Sequence, residues 1–210
     1  MDKNAYFTYK IGIDEVGRGP IAGPVCVCSF LTKGDSFLES CTNIEFLKKE
    51  KLPKLRDSKK LSKKQREEWF KFLHNAKKNN LCDFSISFVS SENIDKFGIA
   101  KCIQKALDES LKKVISQIFL EDIFIFLDGG LKAKNEYINQ QTIIKGDELH
   151  PVISLASIVA KVSRDKIMEK YSKEYPEYGF EKHSGYGTKV HYEAIKNHGQ
   201  TPIHRKSFIH

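Results

Sequence analysis

Apolar residues alternate through Tyr9, Ile11 and Ile13, then give way to two adjacent carboxylates, Asp14 and Glu15, and a glycine-flanked arginine, Gly17-Arg18-Gly19. A second β-rich run, Val25 to Leu31, follows. The pattern predicts a hairpin over residues 6–31 whose connecting loop carries charge. Alternation puts Gly12 and Asp14 on one face of the first strand and Ile11, Ile13 and Glu15 on the other, so both carboxylates share a site only if the chain bends. Gly17, Gly19 and Pro20 supply that bend. Residues 32–60 are polar and predicted to be irregular. Ser62 and Gln65 then stand in capping-box register ahead of Trp69, Phe70, Leu73 and Ala76, predicting a helix. Cys82, Phe84, Ile86 and Phe88 alternate with Asp83, Ser85 and Ser87 as a half-buried strand should. Ile99, Ile103, Ala106, Ser110, Val114 and Ile118 recur at helical spacing, predicting one long amphipathic helix from near Ser91.

The next run, Ile123 to Leu127, is continuously apolar and reads as a strand buried on both faces. It ends on Asp128 and two glycines, repeating the pattern at Asp14. Thr142 to Lys145 predicts a short strand ended by Gly146-Asp147. Pro151 to Tyr171 predicts a helix whose small residues, Ser154, Ala156, Ser157 and Ala160, permit close packing on a sheet. Its odd member is Asp165, which shares the apolar stripe with Ile158, Val162 and Met168. A carboxylate there wants a cation, and Lys161 or Arg164 as a plain ion-pair partner is an alternative to function. The tail predicts one more helix, from about Thr188 to His198, stopped by Gly199.

Composition narrows the classes. At 210 residues the chain is one domain, or one domain with an appendage. Charges run through the first thirty residues, and Val25 to Leu31 is too short for a signal sequence or a membrane span. A soluble, cytoplasmic protein is expected. Five cysteines without a C-x-x-C spacing indicate neither a disulfide framework nor a zinc site, and the seven histidines fall in no recurring ligand spacing. The formal net charge is +8, and residues 48–66 alone hold ten basic residues against Glu50 and Asp57. So local an excess implies a polyanionic partner; a solvated lysine-rich face is the alternative.

Three carboxylate sites share one logic: Asp14 with Glu15 and Asp128 at strand ends, and Asp165 on a helix. Ligands of α/β sheets sit at the carboxyl ends of strands, so convergence of the four acids is expected. Unpaired, they would force some of their number to stay protonated unless hard divalent cations neutralise them. All-oxygen donors favour Mg²⁺ or Mn²⁺, and two ions roughly 4 Å apart suit phosphodiester cleavage. Taken alone, the first motif also reads as a Gly-Pro turn with an exposed ion pair.

D-E-V-G-R-G-P-I-A-G-P-V, D-S-K-K-L-S, I-F-L-D-G, K-G-D…A-S-I-V-A-K-V-S-R-D and G-Y-G-T-K-V-H…G-Q-T-P-I-H-R-K-S-F resemble ribonuclease HII, the type 2 ribonucleases H, in order from residue 11 to residue 208. The resemblance implies an α/β fold: an RNase H-like core over residues 1–172, with a mixed five-stranded sheet flanked by helices, plus a helical C-terminal extension over 173–210. It implies endonucleolytic hydrolysis of the RNA strand of RNA–DNA hybrids with two Mg²⁺ or Mn²⁺ ions, leaving 5′-phosphomonoesters. Cleavage 5′ of single ribonucleotides in duplex DNA, and roles in ribonucleotide and primer removal, come with it. Asp14, Glu15, Asp128 and Asp165 would be the catalytic metal ligands. Gly17, Arg18 and Gly19 would contact the nucleotide at an RNA-to-DNA junction, with Tyr186 packed on the adjoining deoxyribose; Ser58, Lys59, Lys60 and Lys145 would be further nucleic-acid contacts. Substrates would be RNA–DNA hybrid and DNA duplex with embedded ribonucleotides, with no membrane and no obligate protein partner. Type 3 relatives carry an extra N-terminal domain, for which a motif beginning at residue 11 leaves no room, and no clamp-binding tail is expected after Phe208. Gly130 and Arg56 depart from the family's usual residues. Two other readings stay open: a general hybrid nuclease without junction specificity, and a non-catalytic nucleic-acid-binding module.

Overall fold

The alternating segment at the start of the chain becomes the middle strand of a sheet. In a computed structural model describing residues 7–116 and 118–209, β1 (Tyr9–Val16) pairs antiparallel with β2 (Val25–Lys33), and β2 with β3 (Cys82–Val89). On its other side β1 takes β4 (Ile123–Asp128) in parallel, and β4 takes β5 (Gln140–Ile143) in parallel. The order is β3-β2-β1-β4-β5, the mixed five-stranded sheet that was expected. Residue 6, the start of the predicted hairpin, lies outside the described residues. Ile13 stands level with Leu127 across the parallel pair, so the next residues, Asp14 and Asp128, leave the same end of adjacent strands.

Helices cover both faces. Where irregular structure was predicted, two short helices form: α1 (Ser36–Thr42) and α2 (Ile44–Lys49). Each buries only one or two apolar residues, Leu38 and Cys41 or Leu47, too sparse a signal for periodicity to register; the Asn43 side chain caps α2. The Ser62–Gln65 capping box is present and opens α3 (Lys63–Lys78). The long helix predicted from Ser91 is two, α4 (Ser91–Phe97) and α5 (Ile99–Val114), because Gly98 at φ +80° breaks the backbone between them. The strand predicted at 142–145 sits two residues earlier. Lys145 is left-handed (φ 56°) and opens the single-turn α6 (Gly146–Leu149). Then α7 (Pro151–Glu174) runs three residues past its predicted end, so the expected boundary at residue 172 falls inside it. Short α8 (Phe180–His183) and α9 (Lys189–His198), capped by Thr188, complete the tail.

Ile11, Ile13, Val25 and Val27 pack against Ile103, Ala106 and Leu107 of α5, whereas Cys26, Cys28 and Phe30 share a second core with Trp69 and Leu73 of α3 and Val152, Leu155 and Val159 of α7. Gly12 permits the second arrangement: a Cβ there would collide with the Val152 carbonyl and lie 2.7 Å from the Ile153 nitrogen. Glycine therefore lets α7 lie directly on β1, which brings the helix's small residues to the strand end carrying Asp14. A third cluster joins Tyr178, Phe180, Ala194 and Ile203 of the tail to Ala22 and Met168. All five cysteines are free and buried. No helix among the described residues is long and apolar enough to cross a membrane.

Candidate active site

Asp14 is 5% exposed, with one carboxylate oxygen accepting the Glu15 N–H at 2.8 Å. Burial pushes its pKa well above the ordinary carboxylate range; a hydrogen bond from Ser157 opposes this, and the charges of Glu15, Asp128 and Asp147 add to it. Burial likewise raises Glu15, whose Oε1 accepts from Arg18 Nε at 2.9 Å. The half-buried Asp128 accepts the Asp147 N–H at 3.3 Å. Asp14, Glu15 and Asp128 are thus within electrostatic reach of one another, at the carboxyl ends of β1 and β4.

Asp165 sits on the neighbouring wall. Its Oδ1 accepts from Lys161 at 2.7 Å, and its Oδ2 lies 3.7 Å from Arg66. Of the two partners its sequence neighbourhood offers, Lys161 is the one used; Arg164 turns to backbone carbonyls instead. Among the described residues no three His, Cys, Asp or Glu side chains form a group that could hold a metal ion as they stand. Glu15 is paired with Arg18 and Asp165 with Lys161. The donors are nonetheless the right kind. Carboxylates at least partly removed from water, with no sulfur or imidazole among them, match a hard divalent cation.

A cleft of about 450 Å³ is lined by Asp14, Glu15, Gly17, Arg18, Gly19, Ser58, Lys59 and Tyr186 from the sequence-predicted set; Asp165 lines a smaller adjoining cleft instead, and Asp128 lines neither. Tyr186 is half exposed and meets Gly19 at 3.7 Å from where a Cβ would stand. Ser58 is buried and hydrogen-bonds Ser157 at 2.8 Å, tying its loop to α7. Lys59 reaches Asp147 at 3.4 Å, and Lys60 lies 2.5 Å from Glu148. The basic stretch at residues 48–66 is therefore partly spent on ion pairs, Lys63 with Glu169 among them. Lys145 is exposed and is not among the cleft-lining residues.

Several participants escaped the sequence reading. Asp147, buried and raised first by desolvation and then by Asp128, carried its only signal in sitting two residues after Lys145 in a Lys-Gly-Asp turn. Ser157 looked like a packing residue, Arg66 like one more member of the basic stretch and Lys161 like no more than an ion-pair partner of Asp165; both cations line the Asp14 cleft and the smaller adjoining one at Asp165. Arg164 and Arg205 are fully buried and hold the loop after β1: Arg164 donates to Ala22, Pro24 and Ser184 carbonyls, and Arg205 to those of Gly17, Arg18 and Gly23. Gly17, at φ +93°, is required by this packing, because a Cβ would strike Arg164 and lie 2.7 Å from the Pro24 carbonyl.

Comparison with known proteins agrees with this architecture. The family profile described as Ribonuclease HII matches residues 11–210. Ribonuclease HII of Endomicrobium trichonymphae is 41% identical over 99% of this chain and 90% of its own. The ribonuclease chain in the solved complex of PCNA and RNase HII from Archaeoglobus fulgidus superposes with a TM-score of 0.67 at 26% identity, covering 96% of this chain and 95% of that one. Bst-RNase HIII, solved in complex with Mn²⁺, shares the fold with a TM-score of 0.66 at 16% identity, over 98% of this chain and 68% of its own. Profile, full-length identity and fold superposition converge, and the chain belongs to the ribonuclease HII family, metal-dependent endoribonucleases acting on RNA–DNA hybrids.

Proposed function

We propose that this chain cleaves RNA–DNA hybrids, and duplex DNA at single embedded ribonucleotides, at the cleft lined by Asp14 and Glu15, with Asp128 at the adjacent strand end and Asp165 in the adjoining smaller cleft as the other two acids. The observation that carries the reading is the placement of buried Asp14 beside Asp128 at the ends of two parallel strands, with Gly17-Arg18-Gly19 and Tyr186 lining one and the same cleft. The four acids would hold Mg²⁺ or Mn²⁺, and the Mn²⁺ held by Bst-RNase HIII supports a divalent ion of that class here. Such ions, two to a site, supply a nucleophile at neutral pH and charge stabilisation of a phosphodiester in cleavage.

The chain's own residues do the rest. Arg18 and Lys161 neutralise Glu15 and Asp165, charges that bound ions would neutralise in their place. Ser58 and Ser157 brace the wall behind Asp14, while Lys59, Lys60 and the exposed Lys145 attract the phosphate backbone without reading sequence. The 2′-hydroxyl is the group that distinguishes RNA from DNA, and glycine-exposed backbone can reach it. Tyr186, half exposed beside Gly19, packs on the deoxyribose that follows. The core and the tail from residue 173 act as one functional domain, since the tail carries Tyr186 into the cleft, and removal of ribonucleotides and RNA primers from DNA is the role such cutting serves.

Tyr186→Ala tests the junction reading. Loss of one packing contact on the order of 1–3 kcal/mol lowers kcat/KM about tenfold to a hundredfold on a duplex with one ribonucleotide. An all-RNA strand paired to DNA offers no such junction and is affected less. An unchanged ratio between the two substrates refutes junction recognition and leaves a general hybrid nuclease.

A further inference from the structure

Arg205 is 0% exposed and forms no salt bridge among the described residues. Each of its nitrogens instead donates to a different carbonyl of the loop that follows β1. Nη2 reaches Gly17 O at 2.7 Å, Nη1 reaches Arg18 O at 3.1 Å and Nε reaches Gly23 O at 3.0 Å. Its own N–H donates to Ile21 O at 2.7 Å, so side chain and backbone grip the same loop. Burying a guanidinium is costly, and three fixed acceptors compensate only while the fork stays in register with them.

The direction of those carbonyls has a consequence on the opposite side of the chain. A trans peptide is planar, with its C=O and N–H pointing in opposite directions, and the described residues contain no cis bond. Drawing the Gly17 carbonyl inward to Arg205 therefore aims the Arg18 N–H outward, and drawing in the Arg18 carbonyl does the same to the Gly19 N–H. Neither N–H donates a hydrogen bond within the chain among the described residues. Both belong to residues lining the cleft shared by Asp14, Glu15 and Tyr186, and Gly19 is exposed there without a side chain to block approach.

We infer that Arg205, which lines no part of the cleft, is the positioning residue that turns the Arg18 and Gly19 N–H groups into a paired donor for the ribose 2′-hydroxyl oxygen of the substrate. The inference deepens the function proposed above and rests on it. Lysine cannot substitute, because an ammonium lacks the planar fork that spans Gly17, Arg18 and Gly23 at once.

The test is affinity without divalent ions, so that nothing is cut, for a duplex carrying one ribonucleotide against the same duplex in DNA alone. Wild type should prefer the ribonucleotide duplex by roughly tenfold, the worth of one or two neutral hydrogen bonds. Arg205→Lys should lose most of that preference while keeping its affinity for the DNA duplex, a pattern that mere destabilisation does not produce. In wild-type protein, the amide resonances of Arg18 and Gly19 should shift on adding the ribonucleotide duplex and stay put with the DNA duplex, a readout independent of how the variant folds. Retained preference in Arg205→Lys, or amides that respond alike to both duplexes, overturns the role of Arg205. A wild type that neither prefers nor, with Mg²⁺ restored, cuts the single-ribonucleotide duplex overturns the proposed function itself.

Discussion

Asp14 and Asp165 hold similar charges in opposite circumstances, and their Asn variants should part company in stability while both cripple cleavage. Asp14 is buried with its pKa raised, so the stability attached to it is complete below the unfolded value of about 3.9 and is lost as pH rises through the folded value. At pH 7 without divalent ions, Asp14→Asn should therefore raise Tm by a few degrees, an advantage that shrinks toward pH 4. Mg²⁺ should raise the Tm of the wild type and not of the variant. Asp165→Asn should do the reverse, lowering stability by about 1 kcal/mol or more, because it leaves Lys161 and Arg66 half-buried without their carboxylate. Thermal melts across pH with and without Mg²⁺ check both, and a destabilised Asp14→Asn in ion-free buffer contradicts the electrostatic account. The four acids proposed as ligands stand out in the sequence because each breaks an apolar pattern at its end or on its stripe. Asp147 and Arg205 do not, since their partners lie 19 or more positions away and no local period marks them.

At the scale of elements, the site depends on how closely α7 lies on β1, and two glycines that look alike in sequence separate in the structure. Gly12→Ala places a methyl against the backbone of Val152 and Ile153, where nothing can rotate away, and should cost about 3 kcal/mol or more. Gly130→Ala meets no atom within 4 Å at a residue without positive φ, so it should be neutral within about 0.5 kcal/mol. Urea unfolding of the two variants distinguishes them, and equal losses contradict the close approach of α7. The hairpin, the half-buried β3, the continuous apolar β4 and the capped α3 were readable because burial on one or two faces writes itself as a period. Gly98 defeats that reading: the apolar spacing on either side is helical, and only its left-handed backbone shows the break. α1 and α2 were missed because elements of six or seven residues bury too few side chains to make a period.

For the whole molecule, a localised basic excess beside an acidic cleft implies a substrate held by its backbone and cut at a neutralised centre. Ion pairs take up part of the excess, yet Lys59 and Lys60 remain more than half exposed as side chains. Neutralising both should weaken binding to hybrid and plain duplex alike, flattening the slope of log affinity against log salt by roughly 0.9 per phosphate contact removed. An unchanged slope reduces the lysines to partners of Asp147 and Glu148. The central claim is that this one cleft joins metal-dependent cleavage to recognition of a ribonucleotide in DNA. Its most direct test is to incubate the protein with a duplex carrying a single ribonucleotide, with and without Mg²⁺, and to map the product ends. The account predicts one cut on the 5′ side of the ribonucleotide, leaving a 5′-phosphate, only when the ion is present; no cut with Mg²⁺, or cutting undiminished after chelation, contradicts it.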